Sequence, residues 1–117
     1  MALLQIERSL SALDDLGLDT RTALQILMTI DTYVTGSVLH ELRDTRAEQA
    51  QARTGLSDAE IAAGMRAWRD RLDHSGMFVR LLRVFDEGID PDAAETRDER
   101  FEFGLNCALD GIANRLS

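Results

Sequence analysis

The stretch from Thr20 to about Ala50 limits the fold of this chain more than any other part. It is free of proline, and Gly36 is the single glycine within it. Ala23, Leu27, Ile30, Val34 and Val38 recur at helical spacing along one side, with Ile26, Tyr33 and His40 on the side next to it. A helix apolar over so wide an arc packs on more than one side. Beyond Leu42 the run turns polar through Arg43, Asp44, Arg46, Glu48 and Gln49, which predicts a solvated far end. Asp19 stands where an N-cap would open this helix, and Gly55 stops it. The fold has to be arranged around one long, two-sided rod.

The remaining punctuation is also helical. Leu3, Ile6, Leu10, Leu13 and Leu16 form one stripe over residues 2–16, closed by Gly17 at the C′ position. Ser57 with Glu60 reads as a capping box, and Leu56 with Ile61 as its hydrophobic staple. Ile61, Met65, Trp68 and Leu72 then make a narrow stripe opposite Arg66, Arg69, Asp70 and Asp73. After a break at His74-Ser75-Gly76, Met77 to Glu87 predicts a short helix carrying Phe78, Leu81, Leu82 and Phe85, ended by Gly88. Thr96 with Glu99 reads as a second capping box, opening a last helix from Arg97 to about Leu116. Residues 50–56 and 87–96 are the richest loop candidates. No segment alternates with period two, so no strand is expected, and no repeat or linker divides the chain. Residues 1–117 are expected to form a single all-α domain of five helices, in keeping with 5% aromatics and one proline.

The last helix raises the question of assembly. Its main apolar stripe is Phe101, Leu105, Ala108, Leu109, Ile112 and Leu116, and beside it runs a stripe of little volume, Gly104, Ala108 and Gly111. Two glycines inside a helix cost about 1 kcal/mol each relative to alanine, and close approach of another helix is the usual compensation. That helix can belong to the same chain or to a second copy. The wide apolar arc of the long helix favours a two-fold homodimer in which the long and last helices of two copies form a four-helix bundle. Val34, Val38, Phe101, Gly104, Leu105, Ala108, Gly111 and Ile112 are the expected interface.

Charge and composition remove other classes. Thirteen basic residues, all Arg, against 21 acidic ones leave a net charge of −8, which opposes binding to a phosphate backbone. The apolar runs are far shorter than the ~20 residues needed to span a bilayer, so no membrane association is expected. Cys107, alone, excludes an intramolecular disulfide and a cysteine-rich zinc site, and a free thiol fits a reducing cytoplasm. His40, His74 and Cys107 lie on three different helices, and Asp86, Glu87, Asp90, Asp92 and Glu95 lack the spacing of a calcium loop. No catalytic set, metal site or cofactor is expected, and the chain does not read as an enzyme.

Phe101 to Leu116, FEFGLNCALDGIANRL, closely resembles the C-terminal helix of the tetracycline-repressor (TetR) family of bacterial transcription regulators. Its form there is a Phe, a Gly shortly after, then Leu, and a later apolar-x-Gly-apolar ending. Leu10 to Leu42 is similar to the pair of helices that precedes it, the second with an aromatic-x-x-Gly, here Tyr33 to Gly36. The order of short helix, Asp-rich turn and terminal helix also follows the family, so the likeness covers nearly the whole chain. It implies a cytoplasmic regulatory half that binds a small effector and dimerises through its long and last helices. The family's helix-turn-helix DNA reader has no counterpart in these residues. The resemblance therefore implies DNA contact only through a missing N-terminal domain; the alternative is a free-standing protein that sequesters a drug or metabolite without touching DNA.

Family effectors sit in an apolar cavity with a few polar groups, as small-molecule sites generally do. Thr29, Thr32 and Tyr33 supply hydroxyls on the long helix, while Met28, Met65, Trp68 and Phe78 offer a deformable wall for a small hydrophobic or aromatic effector. The same residues at helical spacing would equally fill a core. The histidine by which tetracycline-binding members hold their metal–drug chelate has no match here, so tetracycline recognition is not implied.

Overall fold

Helix boundaries follow the side chains and turns that satisfy unpaired helix ends. In the computed structural model, which describes residues 2–117, the regular elements are α1 (Leu3–Ala12), α2 (Thr20–Ala52), α3 (Asp58–Ser75), α4 (Val79–Asp86) and α5 (Arg97–Leu116). Two short 3-10 turns, Asp14–Leu16 and Ala94–Thr96, complete them, and no strand occurs among the described residues. The chain is all-α.

Asp19 caps α2: the backbone N–H of Thr22 donates to its Oδ1 at 2.7 Å. Bonds from Thr22, first from its backbone and then from its hydroxyl, and from the Arg21 backbone hold this carboxyl below the ordinary aspartate range. At α3 both halves of the capping box form. The Glu60 N–H donates to the Ser57 hydroxyl at 3.1 Å, and the Ser57 N–H donates to the Glu60 carboxylate at 3.2 Å. The end of α4 is a Schellman motif, with Ile89 N–H donating to the Val84 carbonyl at 3.1 Å and Gly88 N–H to that of Phe85 at 3.0 Å. Gly88 sits at φ 76°, a left-handed value that strains any residue with a Cβ.

Three expectations need correction. The first helix does not run smoothly to Leu16: α1 stops at Ala12, and the chain tightens into Asp14–Leu16 before Gly17 at φ 65°. The short helix begins at Val79 because Phe78, at φ −119° and ψ 40°, lies outside helical geometry and acts as its N-cap. The second capping box does not form. Thr96 ends a 3-10 turn at φ −108° and ψ 10°, away from the extended conformation a capping hydroxyl needs, and its oxygen accepts from the Arg100 guanidinium instead.

The helices gather into two compact units, and the division falls within α2. One comprises residues up to Glu41 with Thr96–Ser117; the other is Leu42–Glu95. In the first unit Ile26 of α2 is buried, the single such residue among those described, and it shares a helix side with Tyr33. In the second unit α3 and α4 pack together, joined by Trp68 on Phe85 and by an ion pair of Arg69 with Asp86.

Because the folded-state acidity of Asp19 is raised, its capping contribution is complete above a pH of about 3.9 and fades as pH falls through the lower folded value. Asn keeps the cap without the charge, so Asp19→Asn should melt with a weaker pH dependence below about pH 4 than the unaltered chain. Ser57→Ala should destabilise the fold by about 1 kcal/mol in chemical denaturation.

Candidate ligand cleft and pairing face

In the second unit, Met65, Arg66, Trp68 and Arg69 of α3 and Phe85 of α4 surround an open cleft of about 220 Å³. The Trp68 and Phe85 rings stand 5.9 Å apart, inclined at 57°, within the range of favourable aromatic pairs. Arg69 bridges to Asp86, tying the rim of α3 to the end of α4. Both partners are largely exposed, so this pair contributes at most about 1 kcal/mol and the ring contact matters more. Met65 and Trp68, two of the expected lining residues, thus meet at one cleft. Phe78 is exposed at the head of α4 and is not among the cleft's walls.

Arg66, Arg69 and Phe85 were not expected at a site. The helical pattern sets the two arginines opposite the apolar stripe, yet Arg69, four positions after Met65, borders the stripe at its edge, and Arg66 reaches the cleft from the polar side. An arginine can lay its aliphatic stem along apolar surface and keep its guanidinium in water. For Arg69 the signal available in the sequence was this edge position, not a motif.

The α2 candidates belong to the first unit and are engaged differently. The Thr29 and Thr32 hydroxyls donate to the Gln25 and Met28 carbonyls one turn back, at 2.8 and 2.7 Å. Met28 is exposed. Tyr33 is half-buried, and its hydroxyl donates to the Phe101 carbonyl at 2.7 Å. The Tyr33 and Phe101 rings lie 5.6 Å apart at 35°.

The same tyrosine explains Gly104. A Cβ there would run into the Tyr33 hydroxyl and come within 2.7 Å of the ring carbons Cε2 and Cζ. The close approach that this glycine permits is therefore made inside the chain. Gly111 and Gly36 differ, with nothing within 4 Å of an added Cβ. Of the expected pairing residues, Phe101, Gly104, Leu105, Ala108 and Ile112 are half-buried, while Val34, Val38 and Gly111 are exposed. Leu24, Leu39 and Leu42 on α2 and Leu109 on α5 are exposed as well, and Phe103, at 74% exposure, was not singled out by the helical pattern.

The Nδ1 of His74 lies 2.7 Å from the Asp70 carbonyl in the last turn of α3, and Cys107 is exposed. Among the described residues no three His, Cys, Asp or Glu side chains converge as metal ligands, and no helix is long and apolar enough to cross a membrane.

Residues 1–116 match the family model described as the tetracyclin repressor-like C-terminal domain. A curated relative, the HTH-type transcriptional repressor DrrR1 of Streptomyces coeruleorubidus, is 28% identical over 107 residues. That alignment covers 92% of this chain and 37% of the relative, so the chain spans little more than a third of the relative's length. No solved structure matches.

Gly104→Ala tests the Tyr33 contact. Alanine gains about 1 kcal/mol of helix propensity but must push the tyrosine ring aside. The substitution should destabilise the unaltered chain in denaturant and stabilise the Tyr33→Ala variant; equal effects in both backgrounds would mean that the contact is absent.

Proposed function

The chain belongs to the tetracycline-repressor family, as its C-terminal domain, and we propose that residues 1–117 act as the effector-sensing and homodimerising half of a transcriptional repressor. DNA contact, in this reading, is made by a module outside these residues, in keeping with the helix-turn-helix type named for the relative and with the chain's net charge of −8. The domain performs no catalysis and works in the cytoplasm. A small apolar or aromatic effector binds one arrangement of the helices better than another, and the dimer passes that preference to the attached DNA readers.

The observation that carries the pairing is the divided use of α2. One side of this helix is taken up inside the chain, by Ile26 and by Tyr33 on Phe101 and Gly104. The remaining apolar arc, from Leu24 and Met28 through Val34 and Val38 to Leu39 and Leu42, stays exposed. Apolar surface on that scale marks an interaction site. With Gly111 open on α5, the arc supports a seam between two copies that uses Val34, Val38 and Gly111 directly. The half-buried Phe101, Gly104, Leu105, Ala108 and Ile112 would back it from inside each protomer.

For the effector, Met65 and Trp68 carry the proposal, since they border an open cleft with an aromatic wall. Met28, Thr29, Thr32 and Tyr33 lie in the first unit and Phe78 lies outside the cleft's walls, so they stand apart from this site, with the three hydroxyls committed to backbone carbonyls.

Gly111→Leu separates the seam from the fold, because an added side chain there meets nothing in its own chain. Sedimentation velocity should show a dimer for the unaltered protein and a monomer of unchanged helicity for Gly111→Leu. A monomeric starting protein, or a variant that still pairs, would refute the seam.

A further inference from the structure

The α3–α4 cleft carries an asymmetry of charge that an apolar effector does not explain. Two guanidinium groups border it, and only one is neutralised: Arg69 pairs with Asp86, while Arg66 has no ion pair or hydrogen bond among the described residues. The indole N–H of Trp68 likewise has no acceptor within the described chain. Acidic residues outnumber basic ones by 21 to 13, so an arginine left without a carboxylate beside an aromatic wall runs against the chain's overall balance.

Size narrows the occupant. About 220 Å³ is below the roughly 300–1,000 Å³ of sites for drug-sized ligands, and above the ~150 Å³ that encloses a benzene. One ring with one small substituent fits. A cation is disfavoured by two arginines at the rim, while a carboxylate matches the planar fork of a guanidinium.

We propose that this cleft binds single-ring aromatic carboxylates, with Arg66 holding the carboxylate and Trp68 and Phe85 holding the ring. The inference rests on the effector reading above and adds to it the ligand's charge. Met65 supplies the adaptable side of the ring site. Arg66 is exposed, so its pairing with the carboxylate is screened by water, and the expected preference for an acid over its neutral analogue is roughly two- to fivefold.

Trp68, the sole indole, reports directly. The full chain is titrated with benzoate, benzamide and acetate while its fluorescence is followed. Benzoate and benzamide should both quench, benzoate roughly two- to fivefold more tightly, and acetate should have no effect. Arg66→Gln should bring benzoate to the level of benzamide. Asp86→Asn, which releases Arg69, should widen the preference. If the unaltered chain binds benzamide as tightly as benzoate, the carboxylate proposal fails while the effector cleft stands. If neither ring compound quenches, the effector cleft fails with it. A preference that survives Arg66→Gln removes Arg66 as the anchor and overturns the proposal; Arg66→Met, which retains the stem, gives the same reading should the glutamine variant lose helicity.

Discussion

The ring of Tyr33 lying on Gly104 is the contact from which the first unit takes its form. It joins α2 to α5 through one hydrogen bond to a helix carbonyl and one ring contact with Phe101, and it closes the distance between them to what a missing Cβ allows. A glycine in the middle of a helix is unfavourable on its own, and here the tyrosine's burial and its bond offset the loss. The contact also orients α2. Once the Ile26 and Tyr33 side is turned inward, Leu24, Met28, Val38, Leu39 and Leu42 remain as an outward apolar strip. Intrachain packing and the proposed seam are thus two sides of one helix, and the first determines which residues are left for the second.

In the second unit the ranking of forces differs. Arg69 and Asp86 are a visible ion pair, but exposed pairs of this kind contribute little, whereas Trp68 on Phe85 removes apolar surface from water in a favourable ring geometry. The ion pair matters more for what it leaves behind. By occupying Arg69 it makes the two arginines at the cleft unequal.

Much of the fold was legible in the sequence because its signals are local. Asp19, Ser57 with Glu60, Gly17, Gly76 and Gly88 each work within a few residues; α2 begins where its cap places it, and α5 where its periodicity does. The errors arose where local chemistry had a competitor. Thr96 and Glu99 have the spacing of a capping box, but the preceding 3-10 turn holds Thr96 in the wrong conformation and Arg100 takes its hydroxyl. The site was less legible. The small-residue stripe does not say whose helix fills it, and only the position of Tyr33 assigns Gly104 to the chain's own packing while Gly111 remains open. Arg66 and Arg69 escaped a two-sided polar–apolar reading because a long side chain can reach across from the polar side or the edge of a stripe.

The back-turned hydroxyls of Thr29 and Thr32 have a mechanical consequence. Each brings a second donor to a carbonyl that the α2 ladder already uses, which loosens that rung and favours a slight bow. The stiffness of α2 is therefore uneven along its length. The bow this favours falls between Gln25 and Thr32, the stretch that also contains the buried Ile26.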